Sequence, residues 1–490
     1  MSSRQDTPDN PLELVVGLEV HAALDTKTKL FSPIAIDPEA PPNSRTGPVC
    51  LGLPGALPVL NPAAVERGLR LALALDCELA RTLVFDRKSY NYADQPRNYQ
   101  ITQWRRPLGR GGRLPLMDGR TLPLRELHLE DDAGRLIHDA EATHMDFNRA
   151  GGPLVELVTE PAIHDLTTLE DAMLTLRALI RRIGAGRARM ERGELRFEAN
   201  VSLRPRASST LGARVEIKNL NSIAHVLAAV RFEESRQREL IQAGRPVHPE
   251  TRTLLDESGR TKRLRSKESA AEYRYSPEPD LPARPLAPEL VERARARDLR
   301  PPPVLAAALT EAGLTPSDAR SVALELELER PVLALMAAGL GPSRALMLTR
   351  NELRAHLSPS ELLAPSRWTI PASDWAALEA LCEAGQLARA TAREQAPAAL
   401  AVARAGQDRR PVRELLAEQG LLIDPEVESA KIRQAVAAAF AADPAAVRSF
   451  RAGRSKALGP LIGAARRAAG PSVDVRRLRE ALLAALAEPE

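Results

Sequence analysis

The sequence predicts an α+β protein. A mixed, largely antiparallel β-rich domain with helices is expected over residues 1–290. An all-α domain over 291–410 and a small all-α tail over 411–490 follow it. Three observations predict this. Several early runs alternate apolar and polar residues with the period of two that marks strands. A proline-dense stretch from Pro277 to Pro303, containing PEPDLPARPLAPEL and RPPPV, ends that pattern and is expected to build neither helix nor central strand. Beyond it, apolar residues recur at helical spacing, as in LAAALTEAGLTPSDARSVALELELERPVLALMAAG.

The elements follow in order. VVGLEVH (15–21) reads as a strand with Leu18 and Val20 on one face, Glu19 and His21 on the other. A carboxylate beside an imidazole is either a solvent-facing polar edge or a metal or phosphate site. RELHLEDDAG puts Glu126, His128 and Glu130 on one face, with Asp131 and Asp132 at the end of the strand. PLVELVTEP sets Glu156 inside an apolar run, where a carboxylate is costly unless paired, hydrogen-bonded or bound to a metal.

Leu166–Ile183 has helical apolar spacing, with Asp165 placed to cap its start and Gly184 or Gly186 to end it. GELRFEANVSLRP (193–205) alternates over a long run. Leu195, Phe197, Ala199, Val201 and Leu203 share one face; Arg196, Glu198, Asn200, Ser202 and Arg204 share the other. ARVEIKNLNS repeats the idea with Glu216 and Lys218. Ile223–Ile241 reads as a second helix. A second proline-marked break is expected near Pro397–Pro411, and short amphipathic helices from about Val412 onward.

If the polar strand faces converge, they form an acidic cavity with adjacent Lys and Arg. Carboxylates and imidazole without thiolates favour a hard cation such as Mg²⁺ or Mn²⁺. A Mg²⁺ in such a cavity usually serves a nucleotide phosphate, which Lys218 and Arg204 could neutralise. The alternative is a set of independent surface strands.

Composition narrows the classes. The chain has 490 residues, too many for one core, and 27% charged residues, as a soluble globular protein has. The polar start MSSRQDTPDN lacks a leader pattern, and no apolar run approaches a membrane span. Cys50, Cys77 and Cys382 are too scattered for a disulfide framework or a CxxC site, so a cytoplasmic setting is expected. The last sixty residues carry eleven Lys or Arg against five Asp or Glu. That imbalance suits a polyanion such as nucleic acid, or a solvated basic surface. No GxxxxGK[ST], GxGxxG, GxSxG or HExxH motif is present, so a nucleotide site must be of another kind.

VVGLEVHAAL, CLGLPGALPVLNP, YNYADQPRNYQITQ, HLEDDAG, DFNRAGGPLVELVTEP, GELRFEANVSLRP, VEIKNLNS and EYRYSPEPDLP resemble, in order, the signature of the B-subunit family of aspartyl/glutamyl-tRNA amidotransferases. AVRSFRAGRSKALGPLIGAA is similar to that family's tail domain, so the resemblance covers essentially the whole chain.

The resemblance implies a ligase subunit that works with a glutaminase A subunit and a small C subunit. It implies phosphorylation, with ATP and Mg²⁺, of the side-chain carboxylate of Glu or Asp misacylated on tRNA(Gln) or tRNA(Asn). Channelled ammonia then displaces phosphate. Residues 1–290 would be the catalytic cradle, and the basic tail would hold tRNA. It implies Glu19, His21, Asp131 and Glu156 as metal ligands. Glu198, Asn200, Glu216 and Lys218 would line the nucleotide and aminoacyl pocket. Arg204, Tyr92 and Tyr99 would help bind the nucleotide, with Asp94 and Gln100 in the loop that shapes the pocket.

The chain departs from the family pattern in places. Glu130-Asp131-Asp132 stands where EED is common, and Glu198-Ala199-Asn200 where DAN is common. If both changed acids face one metal cluster, the two changes offset each other. Gly47 stands where many relatives have a cysteine and leaves Cys50 alone, so no structural zinc is expected. Pro460 in LGPLIGAARRA is expected to break a helix. Two rival readings remain: a diverged paralogue that activates another carboxylate, and a non-catalytic tRNA-binding protein.

Overall fold

The structure is a computed structural model, and it describes residues 11–37, 39–139, 141–255, 260–266, 273–470, 473 and 475–487. The chain divides into two compact units: residues 1–310 with 315–324, and residues 311–314 with 325–490.

The first unit is organised by one mixed sheet. Its long strands are β1 (Leu12–Ala23), β4 (Thr121–Asp131), β5 (Pro153–Thr159), β6 (Leu195–Pro205), β7 (Val215–Lys218), β8 (Glu250–Leu254) and β9 (Thr261–Ser266). β2 (Asp86–Ser89) and β3 (Tyr99–Thr102) belong to a separate three-stranded sheet. The spatial order is β9-β8-β7-β6-β1-β5-β4, continued by short edge strands, and only the β7–β8 pair is parallel. The expected α+β, mainly antiparallel architecture is therefore present.

The alternation in each strand decides which face is core. Leu18, Val20 and Ala22 of β1 join Leu127 and Leu129 of β4, Val155 and Leu157 of β5, and the five apolar residues of β6 in one buried cluster. Helices α1 (Pro62–Ala74), α2 (Leu166–Arg182) and α3 (Ile223–Gln242) contribute Leu69, Leu71, Leu169, Met173, Leu176, Val226 and Val230 to the same cluster. Burying each large apolar side chain contributes roughly 1.5–3 kcal/mol. A one-residue slip of β6 would expose Phe197 and Leu203 and bury Arg196 and Glu198, so the register is strongly fixed. The polar residues of five strands are thereby held on the opposite face.

Both predicted helices form. Asp165 Oδ1 accepts from Thr168 N–H at 2.7 Å, and Ser222 caps α3 through His225 N–H. α2 ends in a Schellman arrangement: Ala185 N–H donates to Ile180 O, and Gly184, at φ +65°, donates to Arg181 O. The following Gly186 has a separate duty. A Cβ there would lie 2.4 Å from the Ala23 carbonyl oxygen, at the end of the strand that carries His21. Gly186→Ala is expected to destabilise the fold by about 1–3 kcal/mol, read from the denaturation midpoint.

Two proline expectations need correction. The Pro277–Pro303 stretch does contain a helix, Pro288–Arg295, with its only proline at the first position. Leu290, Val291 and Ala294 of that helix pack on the first core, and the compact unit runs on to Leu324. The break near Pro397–Pro411 is present over 406–411, with Pro397 in the first turn of the preceding helix Ala396–Ala405, whereas Pro460 lies in the first turn of helix Leu458–Ala469. First-turn N–H groups have no partner inside the helix, so a proline there starts a helix rather than breaking it.

The second unit is helical throughout its described residues. Its last four helices, from Pro425–Ala442 to Val475–Ala487, bury Ile432, Val436, Val447, Leu461 and Leu482 in a small core of their own. No helix of the described residues is long and apolar enough to cross a membrane.

Candidate active site

The strand register sets the site. Glu19 lies opposite Glu198, and Asn200 opposite Glu216. His21 lies opposite Glu156, and Glu156 opposite His128. Side chains on one face of neighbouring strands stand about 5 Å apart, so these polar groups meet.

Two clusters result, and Glu19 is common to both. In the first, His21 Nε2 lies 3.4 Å from Glu130 Oε1, 3.5 Å from Glu156 Oε2 and 4.0 Å from Glu19 Oε1. His128 Nε2 approaches the same Glu156 oxygen at 3.3 Å, without an aligned hydrogen bond to either ring nitrogen. In the second, Lys218 Nζ donates to Glu198 Oε2 at 2.7 Å and lies 3.6 Å from Glu216 Oε1. Thr251 Oγ1 donates to the other oxygen of Glu216 at 3.0 Å.

The electrostatics follow from this crowding. Burial opposes charge on His21, but hydrogen bonds and charges from Glu130 and Glu156 override it and hold its pKa well above the usual value. His128 is likewise pushed up to about 9: burial works against it, and the Glu156 charge outweighs burial. Glu156 is held well below the carboxylate range, with the two imidazoles overcoming its burial. Glu19 goes the other way. Burial and repulsion from Glu156 and Glu198 raise it to about 7, against the pull of His21 and Lys218.

These residues suit a divalent cation. One ligand atom each from Glu19, His21 and Glu156, and likewise from Glu19, Glu198 and Glu216, lie within 4.8 Å of one another. Glu130 Oε2 is buried without a hydrogen-bond partner. A carboxylate whose ionisation is suppressed by like neighbours is relieved by a cation, and the donor set is hard. No thiol belongs to either group of the described residues, and Cys50 is a buried free cysteine.

The structure thus brings together Glu19, His21, Glu156, Glu198, Glu216 and Lys218, with Asn200 one strand pair away. It does not bring six other predicted residues there. Asp131 lies on the opposite face of β4, where its carboxylate bonds the Arg97 guanidinium and accepts from Ile101 N–H at 2.8 Å. Arg204 is six residues along β6 from Glu198, about 20 Å away, and pairs with Glu13 at 2.9 Å. Arg87 and Arg97 both lie over the Tyr99 ring, at 4.3 and 5.2 Å from its centre, and Tyr92 is exposed. Gln100 donates to the Asp131 carbonyl at 2.8 Å, and the Asp94 carbonyl accepts from Gly134 N–H.

Asp131 and Glu198 therefore share no partner among the described residues. Asp131→Glu and Glu198→Asp are expected to be additive, with the double variant within about 0.5 kcal/mol of the summed activation energies. Recovery of activity in the double variant would sink that placement.

Three members of the site are not singled out by the sequence. Glu130 and His128 stand on a visible polar face, and the alternation of RELHLED is the signal for them. Lys88 has no such signal, because it comes from β2 in the other sheet. Its ammonium lies near Glu130 and Glu156, whose charges raise its pKa against burial.

Residues 14–292 match the family described as the GatB/GatE catalytic domain, and residues 334–486 match the GatB domain. The chain is similar to the B subunit of aspartyl/glutamyl-tRNA(Asn/Gln) amidotransferase from Thermus thermophilus, 41% identical over 96% of this chain and 99% of the relative. The protein of the same name from Frankia casuarinae is 39% identical over 96% of this chain and 95% of its own length. That from Anaeromyxobacter sp. strain K is 38% identical over 93% and 95%. Two domain matches in order and near-complete coverage show that the chain belongs to the B-subunit family of aspartyl/glutamyl-tRNA(Asn/Gln) amidotransferases.

Proposed function

We propose that this chain activates the side-chain carboxylate of Glu or Asp esterified to tRNA(Gln) or tRNA(Asn), so that ammonia converts it to the amide. One observation carries the reading. In a chain of this family, five strands aim Glu19, His21, Glu130, Glu156, Glu198, Glu216 and Lys218 onto one patch of one sheet face.

The chemistry asks for such a patch. A carboxylate is a poor acyl donor because its leaving group would be oxide. Attack of the carboxylate oxygen on the γ-phosphorus of ATP forms an acyl phosphate and releases ADP. Ammonia then attacks the acyl carbon, the C–O bond to phosphate breaks, and amide, phosphate and a proton leave. Phosphoryl transfer needs position and charge, not a protein nucleophile.

Glu19, Glu198 and Glu216, or Glu19, His21 and Glu156, would hold Mg²⁺. The ion supplies charge neutralisation at the phosphate oxygens. Lys218 stands beside these carboxylates as a fixed ammonium for the same oxygens. Glu130, with a buried oxygen lacking a hydrogen bond, is placed to take the proton that ammonia loses. Arg454, Lys456, Arg466 and Arg467 are exposed on the tail and suit contact with the tRNA backbone. A glutaminase A subunit and a small C subunit would complete the enzyme.

The test uses this chain co-purified with its host's A and C subunits. ATP, Mg²⁺ and glutamine are supplied with Glu-tRNA(Gln) or Asp-tRNA(Asn), and the released amino acid is quantified. Conversion to Gln or Asn, reduced at least about 100-fold by His21→Ala, is the expected result. No amide and no tRNA-stimulated ADP from an intact complex would overturn it.

A further inference from the structure

The chain is poor in aromatic residues, yet its tyrosines are not scattered. All five fall in two short segments, 90–99 and 273–275. Three of them join Trp104 in a continuous group. Trp104 stacks on Tyr275, with ring centroids 4.4 Å apart and planes 11° apart. Tyr275 meets Tyr273 edge-on at 6.2 Å, and Tyr273 meets Tyr90 at 6.0 Å. Lys88 Nζ lies 4.9 Å from the centre of the Tyr273 ring.

This group is not core. None of Trp104, Tyr90, Tyr273 or Tyr275 belongs to the large apolar cluster of the unit. Trp104 is 44% exposed, while the chain's other two tryptophans, Trp368 and Trp375, are buried in the second unit. A partly exposed indole held flat by a stacked ring is a platform for a planar group. Arg106, exposed two residues on, adds positive charge. Inward, the platform is tied to the strand that carries Glu130: Gln103, the residue before Trp104, accepts through Oε1 from Leu129 N–H at 2.9 Å, one residue from Glu130 on β4.

We propose that Trp104, backed by Tyr275, stacks the 3′-terminal adenine of the aminoacylated acceptor end. This rests on the reading above, in which the reacting carboxylate belongs to an amino acid esterified to that adenosine. The base is then separated from the reacting carboxylate by one ribose and one aminoacyl group. The platform is joined to the Glu130 strand through the Gln103–Leu129 hydrogen bond. The adenine of ATP fits less well. The phosphate-binding cation Lys218 lies on β7, on the far side of β1 from β4, the strand to which Gln103 ties the Trp104 segment.

The experiment uses the intact heterotrimer with Trp104→Ala and Trp104→Phe. Stacking of one base predicts that Trp104→Ala raises the KM for aminoacyl-tRNA roughly 10- to 100-fold, while the KM for ATP stays within about twofold. Trp104→Phe should recover most of the loss. In parallel, the fluorescence lost in Trp104→Phe isolates the Trp104 signal. It should be quenched by an uncharged acceptor-stem minihelix ending in CCA, but not by one ending in CC, and not by ATP.

A rise in the KM for ATP, or quenching by ATP, would assign the platform to the nucleotide and overturn the proposal. Unchanged KM values with no quenching would overturn it as well. Quenching by the CCA minihelix without any amide formation by wild type would support the platform and sink the amidotransferase reading.

Discussion

Glu156→Gln is expected to lower amidation kcat/KM at least about 100-fold and to destabilise the first unit by roughly 3–5 kcal/mol. The substitution keeps the shape of the side chain and removes its charge. In the native protein one oxygen of Glu156 faces His21 at 3.5 Å and His128 at 3.3 Å, and Lys88 is held charged by Glu130 and Glu156 together. Without the carboxylate, these buried cations face one another with only Glu130 and the more distant Glu19 to offset them. Breaking a buried ion group by removing one partner costs far more than an exposed pair is worth.

The loss has a pH signature. His128 is raised in the folded protein to about 9 from an ordinary 6.5. Its stabilisation is fully present below pH 6.5 and is lost as pH rises through about 9. Glu156→Gln removes the Glu156 charge, the leading attraction behind that rise. The stability difference between wild type and variant should therefore be largest near pH 6 and smaller near pH 9.5. Thermal denaturation across that range reads it. A difference independent of pH, or wild-type turnover, would sink the role given to Glu156.

The strand faces are legible because period two admits only two answers, and Leu195 to Leu203 leave no doubt which side is core. Convergence of the polar faces also follows, since β1, β6 and β7 have to pair somewhere. Choosing among adjacent acids is harder. Glu130 and Asp131 differ by one residue and so point to opposite faces. Alternation groups Glu130 with His128 and sets Asp131 apart, but only the fold shows that Arg97 occupies the Asp131 carboxylate while an oxygen of Glu130 is left without a hydrogen bond. Lys88 and Trp104 come from loops and short strands of a different sheet, and no periodicity links them to β1. Pro460 misleads for a local reason: residue type alone suggests a break there, whereas the effect depends on distance from the helix start.

Glu19 gives the second large effect. With a folded pKa of about 7 against an ordinary 4.5, the folded protein keeps a proton that the unfolded chain releases. Stability is therefore greatest below pH 4.5 with respect to this group, and falls as pH rises from 4.5 to about 7. The full change is about 3 kcal/mol. Ionised Glu19 is left among Glu156, Glu198 and Glu216, with His21 and Lys218 as insufficient compensation. A divalent cation binds that ionised form, so Mg²⁺ should stabilise the protein little near pH 5 and strongly near pH 8. Below pH 7 its apparent affinity should rise roughly tenfold per pH unit, because binding must expel one proton. Glu19→Gln should flatten both responses: no stability loss between pH 4.5 and 7, and no growth of the Mg²⁺ effect with pH. Melting the purified complex with and without millimolar MgCl₂ at each pH reads both. If Glu19→Gln keeps the wild-type Mg²⁺ response, the ion is held without Glu19, and the shared carboxylate is not what joins the two clusters.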